Sequence, residues 1–486
     1  MPRRISSGCA GSVPTGSPRC WGTSTARKSC TATTSCCCNS GAPAARQGGL
    51  SRRVRGRSGT ILGTMTATTT SEATTKAAAA RVASKRMGSI SSAQKDAALR
   101  AIADALVAES PRILEANAGD MARGTERGIN ESFLDRMLLT PERIEGMARD
   151  VRAVAMLPDP VGDVLEMTTR PNGMQVGRIR VPLGVIGAVY ESRPNVTVDI
   201  AVLCLKSGNG VVLRSGTDAH ATSSVLASIV IAAVEAAGLP QGIVQFIDST
   251  DRAEVGAMLR AHESIDLMIP RGGADLIRRT RDEATMPVVA GGIGVCHTYV
   301  DSEADLEMAR AIIVNAKTRR VSICNALDTV LVHQAVADSI LPALSAELGT
   351  HGVTLHTDAR AGALANGAPT VPVTEDDYDR EWLSYDCSVR VVDSFEDALA
   401  HIDVHGSGHS EAIITEDYAL ARRFLQQVDA AAVYVNASTQ FTDGGEFGLG
   451  VEFGISTQKM HARGPMGLRE LTSYKWIIMG DGQTRP

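Results

Sequence analysis

Cys324 stands in the run NAKTRRVSICNALDT, with Lys317, Arg319 and Arg320 just before it and Asn325 directly after. A thiol becomes a strong nucleophile when it loses its proton, and nearby cations favour the thiolate. These residue types suit attack on an acyl carbon. A lone cysteine is more often a small buried apolar residue. Cys204 and Cys296, each inside an apolar run, fit that description. A second candidate is Gly272–Gly273 in DLMIPRGGADL, where a strand is predicted to end and a helix to begin. Bare backbone N–H groups at a helix N-terminus suit a phosphate, although a tight turn would have the same composition. No G-x-G-x-x-G follows the first strand of this region, so the ordinary dinucleotide fingerprint is absent.

The elements that must hold these residues follow a strand–helix rhythm. GVIGAVYE (184–191), GVVLRSG (210–216), IVQFI (243–247) and IDLMI (265–269) read as buried strands, with helices at 198–208, 219–237 and 252–261 between them. Alternation of this kind makes a parallel sheet covered on both faces, which binds ligands beyond the carboxyl ends of its strands. A second series begins near 305, with a helix before Cys324, a strand at 328–333, a helix at 335–348 and a strand at 430–439. Ahead of both lies a helical layer reaching about residue 156. Its clearest element starts at a capping box, Ser91 to Gln94, followed by Leu99, Ile102, Ala103, Leu106 and Val107 at helical spacing. Between 161 and 182 polar and β-branched residues alternate around Asn172–Gly173, a hairpin signal. LTSYKWIIMG (471–480) alternates like an edge strand.

The 486 residues are too many for one core, and 44% hydrophobic with 21% charged residues is an ordinary soluble balance. The net charge of −5 shows no nucleic-acid signature, and no apolar run approaches membrane length. Charge is uneven, however. Residues 1–64 hold ten Lys and Arg, no Asp or Glu, and six of the ten Cys, in a spacing that matches no zinc or disulfide framework. Three readings of this tail stay open: a disordered extension, an organelle transit peptide, or translated upstream sequence with the start at Met65. The Ala-rich helical opening after Met65 favours the last. The remaining Cys204, Cys296, Cys324 and Cys387 are scattered, which suits a reducing cytosol.

The segments VPLGVIGAVYESRPNVTVD, DLMIPRGGADL, PVVAGGIGVCHTYVD, NAKTRRVSICNALDTVLVH, VYVNASTQFTDGG and STQKMHARGPMGL together resemble the γ-glutamyl phosphate reductase branch of the aldehyde dehydrogenase superfamily. The resemblance runs in order from about residue 75 to about residue 480, and the tail has no counterpart in it. It implies an α/β fold of that superfamily: a Rossmann-type cofactor domain (70–162 and 182–310), an α/β catalytic domain (311–465) and a small β oligomerisation flap (163–181 and 466–483). It implies NADPH-dependent reduction of L-glutamyl 5-phosphate through a Cys324 thioester. Asn195 falls on the oxyanion-hole asparagine, with the Cys324 N–H as second donor. Gly272 and Gly273 fall on the cofactor-phosphate turn. Arg214 falls where a cation suits the 2′-phosphate of NADPH, and Glu381 on the glutamate that holds the nicotinamide ribose.

One departure from the wider superfamily is informative. Its hydrolytic members carry a Glu two residues before a Gly-Gly; here Gly291–Gly292 match and Val289 takes the Glu position. Lacking that base, the site is expected to transfer the acyl group to phosphate rather than water. Lys317, Arg320, Lys459 and Arg463 are candidate contacts for the substrate's anionic groups, and Asn436 and Ser438 for its amino-acid end. No metal is expected. Expected partners are the small-molecule substrate, further copies of the chain, and a glutamate 5-kinase that must supply the labile acyl phosphate; no nucleic acid or membrane is expected, and the location is read as cytoplasmic. Two alternatives are an NAD-dependent oxidative aldehyde dehydrogenase, against which Val289 counts, and an inactive RNA-binding relative, against which Cys324 and Asn195 count.

Overall fold

The computed structural model describes residues 71–485; the 1–64 extension and Met65 lie outside the described residues. Five helices, Glu72–Met87, Ser92–Ala108, Ser110–Glu126, Glu131–Met137 and Pro141–Met156, open this part of the chain. The expected capping box is present: the Ser91 side chain accepts from the Gln94 N–H, and the Gln94 side chain accepts from the Ser91 N–H. Leu99, Ile102, Ala103 and Leu106 are then fully buried.

The hairpin that follows is β1 (Val164–Thr169) and β2 (Gln175–Pro182), paired antiparallel, with Gly173 in the left-handed region at φ +89°. The first parallel sheet comprises β3 (Val185–Tyr190), β4 (Gly210–Ser215), β5 (Val244–Phe246) and β6 (Leu267–Arg271), in the order β5-β4-β3-β6. All six residues of β3 are buried, as expected of a strand covered on both faces. Strand order reverses between β3 and β6, so their carboxyl ends form a crevice at a topological switch point.

The second sheet contains β7 (His297–Val300), β8 (Thr329–His333), β9 (Thr354–Thr357), β10 (Thr370–Pro372), β11 (Asp386–Val392), β12 (Ser410–Ile414) and β13 (Ala432–Val435). Its order is β10-β9-β11-β8-β7-β12-β13, with every pairing parallel. The expected domain boundary at 310 is corrected by this sheet: β7 already belongs to it, and Ala309 and Ile313 of helix Leu306–Thr318 pack in its core. The division falls between Val288, which bridges to Met268 of β6, and His297. A short pair, β14 (Ile455–Ser456) with β15 (Gly464–Pro465), precedes β16 (Thr472–Met479), which lies antiparallel against β2. The three-stranded flap β1-β2-β16 leaves Val164, Trp476 and Ile478 exposed.

Two buried lysines fasten the N-terminal helices to helix Val196–Lys206, which follows β3. Lys206, 1% exposed, pairs with Asp96 and donates to the Ala155 carbonyl at 3.0 Å. Lys95 pairs with Asp159 and donates to the Lys206 carbonyl at 3.1 Å. Lys206→Met would leave Asp96 unpaired and largely out of water. The expected loss is about 3 kcal/mol of stability, read as a lower urea midpoint at unchanged slope.

Candidate active site

A cavity of about 450 Å³ lies between the carboxyl edge of the first sheet and the amino edge of the second. From the first sheet come Glu191, Ser192 and Arg193 after β3, and Arg271, Gly272 and Gly273 at the end of β6. From the second come Gly291–Ile293 ahead of β7, Cys324 and Asn325 ahead of β8, and Glu381 ahead of β11. Arg136 enters from helix Glu131–Met137, and Glu452 from the chain ahead of β14.

The Cys324 loop is held from three sides. Asn325 Nδ2 donates to the carbonyls of Gln440 (3.2 Å) and Thr442 (3.0 Å), and Thr439 Oγ1 donates to the Asn325 carbonyl at 2.8 Å. Arg136 donates to the Ser322 carbonyl at 3.0 Å. Gly294 packs so tightly that a Cβ there would overlap the Cys324 carbonyl oxygen. Asp328 positions Glu381 indirectly, accepting from the Trp382 N–H at 2.9 Å; the Glu381 carboxylate accepts from the Gly294 N–H, and burial raises its pKa.

Electrostatics at the thiol differ from the sequence expectation. Burial pushes the Cys324 thiol up to about 11; Arg271 and Arg193 pull it down, while Glu381 and Glu452 push it further up. The resting thiol is therefore protonated near neutral pH. Lys317 is not among the cations at the cavity. It is fully buried and donates to the Leu327 carbonyl at 3.0 Å, beneath the second sheet's start. Arg319 and Arg320 do line the cavity, as do Arg136, Arg193 and Arg271. The crowding is visible at Arg193, held down to about 10 by burial and by Arg271, Arg136 and Arg320. Sequence reasoning missed Arg193, Arg271, Arg136, Glu191 and Glu452. Two signals were local: Arg193 is two residues before Asn195, and Arg271 directly precedes Gly272.

The remaining candidates separate. Gly272 and Gly273 open helix Ala274–Glu283, and the Gly273 N–H donates to Glu191 Oε2 at 3.1 Å. A carboxylate thus already uses this N-terminus as an anion acceptor, and a Cβ on Gly272 would overlap it. Arg214 ends β4 at the same sheet edge, donating to the Thr250 carbonyl at 3.2 Å while its buried Nε has no partner. Burial and the neighbouring Arg252 and Arg279 lower its pKa. This donor set fits the phosphates of a dinucleotide. Asn195 stands at the start of helix Val196–Lys206, outside the cavity lining, with its amide donating to Asp199 at 2.9 Å.

Four candidates for the substrate's ends stand elsewhere. Asn436 follows β13 at the opposite, carboxyl edge of the second sheet and is hydrogen-bonded both ways to Thr415. The Ser438 hydroxyl caps the short helix Thr439–Phe441. Lys459 and Arg463 both pair with Asp429, away from the cavity. Their committed partners explain why they do not gather at Cys324. The Val289 side chain is buried in the first core, 2% exposed.

Residues 49–373 match the aldehyde dehydrogenase family. The chain is 54% identical over 406 residues to the γ-glutamyl phosphate reductase of Moorella thermoacetica, covering 84% of this chain and 97% of that protein. It is 52% identical to that of Escherichia coli O6:K15:H31, covering 83% and 97%. Among solved structures, γ-glutamyl phosphate reductase from Thermotoga maritima superposes with a TM-score of 0.83 at 44% identity, covering 86% of this chain and all of that one. An acetylating aldehyde dehydrogenase from Geobacillus thermoglucosidasius shares the fold, with a TM-score of 0.64 at 18% identity over 85% of this chain and 98% of that one.

Proposed function

Because the chain belongs to the aldehyde dehydrogenase family, and within it to the γ-glutamyl phosphate reductases, we propose that Cys324 is the nucleophile by which it reduces L-glutamyl 5-phosphate to L-glutamate 5-semialdehyde, the second step of L-proline biosynthesis. The observation that carries the reading is Cys324 at the meeting of two sheets, in a cavity also lined by Arg136, Arg193, Arg271, Arg319 and Arg320. The substrate is an acyl phosphate with about two negative charges and a carboxylate, and guanidinium groups match such oxyanions in forked pairs.

In the proposed sequence the Cys324 sulfur attacks the acyl carbon and phosphate leaves, giving a thioester. The oxyanion would be met by the Cys324 N–H; Asn195, its amide held on Asp199 outside the cavity lining, would serve as second donor only with its side chain turned inward. A bound nicotinamide cofactor supplies hydride to the thioester carbon. Gly272 and Gly273 would receive its phosphates and Glu381 its nicotinamide ribose. Arg214 supports NADPH over NADH, since its unpartnered buried Nε suits a 2′-phosphate. Arginines take the anion-binding role first given to Lys317, Lys459 and Arg463. The product carries an amine and an aldehyde that close to 1-pyrroline-5-carboxylate. The acyl phosphate must come from a kinase, and no surface among the described residues is assigned to that partner. The exposed flap β1-β2-β16 suits self-association through its unpaired edge.

The test is the reverse reaction with glutamate semialdehyde and NADP. NADP reduction should require inorganic phosphate, falling at least about tenfold when phosphate is omitted, because the thioester then has no acceptor. Equal rates with and without phosphate would mean a hydrolytic aldehyde dehydrogenase.

A further inference from the structure

The thiol at Cys324 has to lose a proton, and Val289 supplies no base where hydrolytic members of the superfamily have one. The glycine run 291–294 shows what stands nearby instead. At one end a Cβ on Gly291 would lie 2.9 Å from the Ile455 carbonyl oxygen; at the other, a Cβ on Gly294 would overlap the carbonyl oxygen of Cys324. Four residues span about 13–14 Å at most. Ile455 and Cys324 therefore stand at the two ends of one short strip of backbone, and Glu452, three residues before Ile455, lines the same cavity as the thiol.

We infer that Glu452 is the group that takes the Cys324 proton, in place of the glutamate missing at Val289. The Gly444 N–H faces its carboxylate, but Oε2 is buried with no hydrogen-bond partner. Glu381, which like Glu452 pushes the thiol's pKa up, faces the Gly294 N–H and is given above to the cofactor ribose, while Glu191, also in the cavity lining, accepts from the Gly273 N–H. Burial raises Glu452 to about 7; Arg271, from the end of β6, opposes this, Asp443 adds to it, and His409, ahead of β12, also faces the carboxylate. A base with that value is half ionised at neutral pH, which suits proton transfer there.

The inference rests on the thioester reading, and its steps balance. As the S–C bond forms, the thiol proton passes to Glu452 Oε2. The C–O bond to phosphate breaks with its electron pair, and the departing phosphate takes a proton from water. While the thioester stands, Glu452 is protonated and cannot activate water against it. Once the carbon has been reduced, the C–S bond breaks, the aldehyde carbonyl forms, and the sulfur recovers its proton from Glu452.

Glu452→Gln in the full chain should lower kcat/KM for phosphate-dependent NADP reduction on the order of a hundredfold at pH 7. The acid limb near pH 7 should vanish, with residual activity rising about tenfold per pH unit above it as hydroxide removes the thiol proton. Melting temperature and NADPH fluorescence titration should match the parent. A carboxylate acting only as a charge would predict the opposite, since its removal eases thiolate formation and speeds the enzyme at pH 7. An unchanged acid limb, or activity within threefold of the parent, would overturn the assignment. A Cys324→Ala arm separates the two failures: activity in that variant sinks the thioester itself, whereas an inactive Cys324→Ala beside a fully active Glu452→Gln sinks the proton acceptor alone.

Discussion

Cys324→Ala is expected to lose phosphate-dependent NADP reduction by at least about 10⁴-fold while still binding cofactor. Removing a covalent nucleophile deletes the step itself rather than one contact to it, and such losses in other enzymes reach on the order of 10⁶. The fold should hardly notice, because the side chain is only half-buried and the loop is anchored through Asn325, Thr439 and Arg136. The measurement is single-turnover NADP reduction beside an NADPH titration and a thermal melt. Unchanged binding and melting with activity gone is the expected pattern; activity within tenfold of the parent would sink the thioester route.

Gly294→Ala is expected to be nearly as damaging without touching a reactive atom. Its Cβ would meet the carbonyl oxygen and carbon of Cys324, which are backbone and cannot rotate away as a side chain would. Overpacking of this kind costs about 1–3 kcal/mol, and displacing a nucleophile by about 1 Å costs on the order of a hundredfold in rate. The same shift would loosen the Gly294 N–H from Glu381. The expected result is a lower melting temperature together with at least a hundredfold drop in kcat. Gly88→Ala is the control: that position has a helical φ of −61° and nothing within 4 Å of an added Cβ. Equal effects from both substitutions would mean the close approach at Gly294 does not govern the site.

What could be read from the sequence was whatever lay close along the chain. The strands β3, β4, β5, β6 and β8 were legible because buried parallel strands are short apolar runs bounded by turn residues. Strands β9 to β12 fall in a stretch left undivided, where three- to seven-residue strands carry polar residues such as His356, Arg390 and Glu411 inward or at their ends. Cys324 and Gly272–Gly273 stood out by composition and turn chemistry. Asn436 did not reach the site because a parallel sheet has two ends, and β13 delivers it to the far one. Lys459 and Arg463 illustrate a second limit. A charge near a glycine-rich loop cannot be told from sequence to be already answered by Asp429. Arg136 had no signal at all, since 188 positions separate it from Cys324 and only tertiary packing closes that gap.

That contact of Arg136 with the loop before Cys324 has a thermal consequence. Arg136 rides on Glu131–Met137, a helix of seven residues, too short to persist without its packing. As temperature rises, such a segment opens before the sheets do. Catalysis should then fade a few degrees below the calorimetric transition and return on cooling, so that the enzyme's upper working temperature is set by about two turns of one short helix rather than by the two sheets that form its bulk.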